Sequence, residues 1–348
     1  MKNTHPFFSI IIPAYNAEKT IALTLKSVYQ QTFTNYEIIV VNDGSKDRTA
    51  EILEKHCDPR LRIIHQSNGG ECHSRNRAIK EAKGEYLAFL DSDDAWTKNH
   101  LLLAWIFFKS FPEIEWYCSD IYPTKEIKEE DIEKQCDYSG LFTCVNMFLR
   151  EPVLPSSAVI KRTLAEKEDL FPNGVKMHGD NMAFCKIAMS SPIIGCVNVK
   201  TTLYRIWEGS ITNVYIADQL SKSGWSLPAL MQYEEMYVSK MCSNEAKLFF
   251  KWFSLNNWWL RIRKASIRNW SEEIRNRELS TGKFITKWLL LFSYMSDIYY
   301  RIMGKLVRIS LIRTHKRLQR EKKRQTKVLG EVEFLFSKFY KEITRGNN

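Results

Sequence analysis

The 348 residues contain no CxxC pair and no Cys/His cluster at zinc-ligand spacing, although cysteine itself occurs eight times. The thiols are scattered, which argues against a structural zinc site and fits the reduced cysteines of a cytosolic protein. Long apolar runs are also missing. The longest late one, WLLLFSYM at 288–295, falls far short of the ~20 residues that span a bilayer. The early run FFSIII is too short for a secretory leader and ends in a proline motif instead of a small-residue cleavage site. Glycine and proline are modest at 14 and 10, and apolar residues make up 44%, a balance that excludes a disordered chain.

Charge is unevenly spread. Residues 240–348 hold 25 Lys/Arg against 9 Asp/Glu, a net +16, while residues 1–239 are mildly acidic. That C-terminal stretch interleaves Trp, Phe and Leu with Arg and Lys, as in KLFFKWFSLNNWWLRIRK. Helices of such composition lie in a membrane interface, or else pack their apolar faces on the protein itself. An anionic membrane surface is the expected partner. Nucleic acid is not, because no RNA- or DNA-binding motif accompanies the charge.

The first hundred residues alternate strand and helix signals. FFSIII, EIIVV (37–41), LRIIH (61–65) and EYLAFL (85–90) are apolar strand candidates. Between them lie helical stretches at 18–31, after Asp47, and through SRNRAIKEAK, with Gly84 in C-cap position. Strands separated by helices predict an α/β fold with a mostly parallel, doubly wound sheet, whose ligands bind beyond the carboxyl ends of the strands. Three polar clusters fall at such ends: Pro13-Ala14-Tyr15-Asn16, Asn42-Asp43-Gly44-Ser45 and Asp91-Ser92-Asp93-Asp94. Two carboxylates about 5 Å apart repel by roughly 3 kcal/mol at an effective dielectric near 20, so the last cluster asks for a cation, a basic side chain or a helix N-terminus. Alone it also reads as a solvated turn. Convergence of three clusters on one rim favours a site.

In order and spacing, PAYN (13–16), VVNDGSKDRT (40–49), NGG with SRNRAI (68–79) and FLDSDD (89–94) resemble the family 2 glycosyltransferases of GT-A fold, over about residues 1–210. The resemblance implies a GT-A domain at 1–215, with a nucleotide-binding half (1–96) and an acceptor half (97–215), followed by a basic helical region at 216–348. It implies a nucleotide-sugar donor held by Pro13, Ala14, Tyr15, Asp43, Arg75, Asp91, Ser92 and Asp93. Tyr15 offers a flat face to a base, Asp43 accepts from a uracil N–H, and the Arg75 guanidinium suits phosphates. A solvent-facing helix arginine is the competing reading of Arg75. Asp91 and Asp93 match a DxD motif that holds Mg²⁺ or Mn²⁺, and Asp94 reads either as an acceptor behind them or, by preference, as a helix cap.

In HGDNMAFCKIA (178–188) the resemblance makes Asp180 the general base, or else that aspartate caps the helix. Gly179 stands where the family often has Glu, and Trp207 where many relatives have a His that approaches the metal or diphosphate. An indole cannot ligate a metal, which leaves His178 as a possible substitute and Arg205 as a phosphate-facing group. The expected activity is inverting, metal-dependent transfer of a sugar, from a UDP-sugar, to a glycan or lipid-linked glycan in surface polysaccharide assembly. The expected place is the cytoplasmic membrane face. A scaffold without activity and a sugar-nucleotide pyrophosphorylase are the competitors, the latter lacking its N-terminal Gly-rich loop.

Overall fold

The structure is a computed structural model and describes residues 5–133, 142–146, 153–166, 169–174 and 179–206, together with Arg313, Lys316, Arg317 and Arg320. His178, Trp207 and the expected membrane-facing helices lie outside the described residues. The chain divides into two units, residues 1–206 with 326–348 and residues 207–325. All that follows concerns the first.

Strands β1 (Phe8–Ala14), β2 (Tyr36–Asp43), β3 (Leu61–Gln66) and β4 (Tyr86–Phe89) lie parallel in the order β3-β2-β1-β4. Helices α1 (Ile21–Tyr29), α2 (Thr49–Glu54) and α3 (Glu71–Glu81) connect them. β1 and β4 are buried throughout and β2 nearly so, which is why they read as unbroken apolar runs instead of alternating ones. β1 lies between β2 and β4, so the chain reverses direction across the sheet there, and the crevice beyond the strand ends opens at that point.

Gly84 does not cap α3, which ends at Glu81 with Ala82 extended. A Cβ on Gly84 would lie 2.5 Å from the Ser9 backbone nitrogen, and its own N–H donates to Ser9 Oγ at 2.8 Å. Glycine is needed here for a close approach to β1.

The sheet continues past β4 with a change of direction. It takes in β5 (Ala95–Trp96), β6 (Trp116–Thr124), β7 (Phe142–Asn146), β8 (Ala158–Lys161) and β9 (Ile193–Arg205). β8 runs antiparallel to β4 and β6, β9 runs parallel to β6, and β5 and β7 pair antiparallel with β9. The fold is thus the expected α/β architecture, with a mostly parallel N-terminal half and a mixed second half. In β9 buried and exposed positions alternate through Val197–Thr201 at a strand's period of two. Helices α4 (His100–Ser110), α5 (Glu129–Glu133) and α6 (Gly179–Ser190) complete the described elements.

Candidate active site

The ends of β1 and β2 are tied together first. Asn16, just past β1, adopts a left-handed φ of 50°, a conformation that asparagine tolerates better than most residues. Its N–H donates to Ser45 Oγ at 3.0 Å, and its Oδ1 accepts from the Lys46 N–H at 2.9 Å. Tyr15 beside it is 45% exposed, whereas Pro13 and Ala14 are buried in β1 against Val41 and Asn42.

Asp43 ends β2 with only 3% of its surface exposed. One carboxylate oxygen accepts from the Gly69 N–H at 2.9 Å and from Gln66 Nε2 at 2.7 Å, and the other from the Gly70 N–H at 2.8 Å. These bonds fold the NGG segment over the sheet edge. Gly70, at φ 88°, then turns the chain into α3, a backbone angle that L side chains rarely adopt.

Arg75 projects from α3 and is 1% exposed, so it is not a solvent-facing helix arginine. Nη2 donates to Asp91 Oδ1 at 2.6 Å and also to Glu71, and the guanidinium lies 5.1 Å over the Phe171 ring. Its Nε is buried without a partner. Burial opposes its charge, but Glu71 and Asp91 outweigh that and hold its pKa above the ordinary guanidinium value.

Glu71 was not among the residues expected in the site. Its position four residues before Arg75 on one helix is the signal that would have found it. The surrounding cleft removes enough water to push the Glu71 carboxyl up to about 7, against the pull of Arg75 and with Asp91 and Asp180 adding to the rise. Its side chain keeps 44% of its surface, so solvent moderates the effect.

A carboxyl whose pKa is higher folded than unfolded binds its proton more readily in the native state. Stability is therefore lost as pH climbs from about 4.5 through about 7. Glu71→Gln should flatten that decline when melting temperature is followed from pH 5 to 8. Parallel curves for the two proteins would contradict it.

The acidic stretch after β4 is braced from three sides. Thr24 Oγ1 donates to the Ser92 carbonyl at 3.0 Å and to the Asp94 carbonyl at 2.7 Å. Ser156 Oγ accepts from the Asp91 N–H at 3.1 Å and donates to Asp94 Oδ2 at 2.5 Å. Arg205 donates its backbone N–H to Asp94 Oδ1 and its Nε to the Asp93 carbonyl, both at 2.9 Å. Asp94 is thus not a helix cap. It is 2% exposed and fastens the acidic loop to β9 and to the turn before β8, while α4 begins only at His100 after Asn99. Burial, then the charges of Asp93 and Asp91, raise the Asp94 carboxyl well above the usual range.

Asp180 lies in the first turn of α6, within the helix, and is half-buried. Its charge acts on Glu71 and Arg75 across the cleft. Tyr204, on β9, links it to the acidic stretch. Burial raises that phenol's pKa, and Asp94, Asp93, Asp91 and Asp180 all add to the rise. Asp91 and Asp180 thus act on Arg75, and both act with Asp93 on Tyr204, while Asp43 is tied to the start of α3 through Gly70. Tyr15 stands at the exposed β1 end, and Pro13 and Ala14 are buried.

The donor set suits a hard divalent cation such as Mg²⁺ or Mn²⁺. Asp91 and Asp93 supply carboxylate oxygens two residues apart, and their charges already strain a buried neighbour, Asp94. Among the described residues no group of three His, Cys, Asp or Glu side chains could hold a metal ion. A cation here would draw its other ligands from water and a bound diphosphate, as Mg²⁺ commonly does.

The sheet, with its parallel first half and mixed continuation, has a GT-A-like arrangement. Residues 9–127 match the family model for glycosyl transferase family 2. Over 94 residues it is 43% identical to the UDP-Glc:alpha-D-GlcNAc-diphosphoundecaprenol beta-1,3-glucosyltransferase WfgD of Escherichia coli, which covers 27% of this chain and 37% of that protein. The chain spans about a quarter to a half of the length of the curated relatives it matches.

Two solved structures share the fold. S. aureus TarS 1–349 in complex with UDP superposes with a TM-score of 0.56 at 20% identity, covering 91% of each chain. The mannosyltransferase PcManGT of Pyrobaculum calidifontis, in complex with GDP-Man and Mn²⁺, does so with 0.55 at 19% identity, covering 92% of this chain and 89% of that one.

Proposed function

We propose that the protein transfers a sugar from a UDP-sugar to a hydroxyl of a glycan or lipid-linked glycan, with inversion at the anomeric carbon. The observation that carries this reading is the placing of Asp180 and the Asp91-Ser92-Asp93 stretch around Arg75 and Tyr204. The names of WfgD, which includes a UDP-Glc donor and a diphosphoundecaprenol-linked acceptor, and of the TarS–UDP complex support the choice of donor and acceptor.

In this reading Tyr15 lies against the base. Asp43, whose three bonds leave about one acceptor position of an ionised carboxylate unspent, takes the ring N–H. Arg75 steadies Asp91 beside the donor. Asp180 accepts the proton of the acceptor hydroxyl as its oxygen bonds the anomeric carbon, and the nucleoside diphosphate leaves from the opposite face. A bound Mg²⁺ or Mn²⁺, held by Asp91 and Asp93, supplies charge neutralisation for the departing diphosphate. One base and one displacement invert the centre, without the second carboxylate nucleophile that retention needs. The basic C-terminal region fits a peripheral position on an anionic, cytoplasmic membrane face, where a soluble donor meets a lipid-linked acceptor. No described helix is long and apolar enough to cross a membrane.

Titration calorimetry with UDP, GDP and a panel of their sugars, with Mn²⁺ and with EDTA, tests the reading. UDP should bind in preference to GDP, EDTA should weaken it by at least tenfold, and one UDP-sugar should be slowly hydrolysed. If no nucleotide binds under any condition, the chain is a scaffold and not a transferase.

A further inference from the structure

The first turn of α6 rests on α3 through a contact with no slack. A Cβ built on Gly179 would lie 2.3 Å from Cys72 Sγ, closer than real Cβ contacts come, while the next nearest atoms, Cγ and Cδ of Pro172, are 4.0 Å away. The thiol alone fills the space that a side chain at 179 would need. Cys72 is 7% exposed, and burial pushes its pKa up to about 11, so it acts as a small neutral filler and not as a nucleophile.

Neither wall of this contact yields easily. On the α3 side, Asn76 Nδ2 donates to the Phe171 carbonyl at 2.7 Å, and Asn76 Oδ1 accepts from the Phe171 N–H at 3.0 Å, which fixes α3 against the segment that carries Pro172. On the other side, Ala183, Phe184 and Ile187 of α6 are buried, and the Phe184 ring contacts those of Phe89, Phe171 and Trp116. The residue after Gly179 is Asp180.

We infer that Cys72 and Gly179 form a steric pair that positions Asp180: the thiol on α3 and the missing side chain on α6 together set how near the carboxylate stands to Arg75 and the acidic stretch. Neither residue touches substrate. The inference rests on the reading of Asp180 as the base, and it accounts for glycine at this position by the volume already taken by Cys72.

The test is a double-mutant cycle on the full chain with Gly179→Ala, Cys72→Ala and the two combined, beside Asp180→Asn. Displacing a catalytic group by about 1 Å can cost on the order of 10²-fold in rate, so Gly179→Ala should lower kcat by about that factor with donor KM and UDP affinity within about twofold of the unchanged protein. Cys72→Ala alone should cost less. The combined variant, whose new methyl has Pro172 at 4.0 Å as its nearest neighbour among the described residues outside its own helix once the sulfur is gone, should regain most of the lost kcat. If Gly179→Ala proves insoluble, the folding and activity of the combined variant still decide the matter.

The pairing is overturned if Gly179→Ala leaves kcat unchanged, if UDP affinity falls as far as kcat, or if the second substitution rescues nothing. Retention of full transfer by Asp180→Asn would instead remove the base assignment. Loss of transfer in Asp180→Asn beside an unaffected Gly179→Ala would sink the steric pair alone.

Discussion

Asp180→Asn should reduce sugar transfer by roughly 10²- to 10⁴-fold, the range that a positioned general base contributes. UDP affinity should stay within about twofold. The amide is nearly the same size as the carboxylate, so the first turn of α6 keeps its shape and its seat against Cys72. What disappears is a group able to take a proton. Removing one negative charge lessens the repulsion on Glu71 but also the attraction on Arg75, so the two effects oppose and stability should change little. Single-turnover transfer with labelled donor, together with calorimetry for UDP, reads both arms. An unchanged rate would show that Asp180 takes no proton in the reaction.

The second large effect belongs to Arg75. Its guanidinium is almost wholly buried and binds Glu71 and Asp91 together. Arg75→Met keeps the apolar stem over Phe171 but leaves Asp91 without its cation, beside Asp93 and the buried Asp94. Breaking a buried ion pair by removing one partner costs about 3–5 kcal/mol, and urea unfolding should show a loss of that size. Arg75→Lys should recover only part of it, because an ammonium lacks the planar fork of a guanidinium. The double variant Arg75→Met/Glu71→Gln should be no worse than the single one, since it removes a charge that the first change stranded. A loss below about 1 kcal/mol for Arg75→Met would mean that water reaches Asp91 freely and that the pair is a surface one.

Most of the parallel half of the sheet was legible because β1, β2 and β4 are covered on both faces and so appear as apolar runs ended by polar turns. Asp91, Asp93 and Asp43 drew attention in the sequence for a related reason: carboxylates at the carboxyl ends of such strands sit on the rim where ligands of α/β sheets bind. Glu71 escaped notice because a glutamate in the first turn of a helix is an ordinary helix-stabilising residue. Only the burial of its partner Arg75 and the approach of α6 give it a role in the cleft. Asp94 was misread as a cap because capping is judged from the residues that follow it in the chain. Its actual partners, Ser156 and the Arg205 backbone, are 62 and 111 positions away.

Local chemistry, then, was enough to specify a Rossmann-like start, the rim on which polar groups gather and the sign of charge on that rim. Hydrophobic period and turn composition act over a few residues, and they carry that information wherever they occur. The antiparallel continuation through β8, β6, β9 and β5, the burial of Arg75, and the meeting of Cys72 with Gly179 all depend on segments remote in the chain being packed together. Such contacts are settled by volume and by hydrogen-bond partners that exist only once the layers have closed, and no stretch of the chain considered alone contains them.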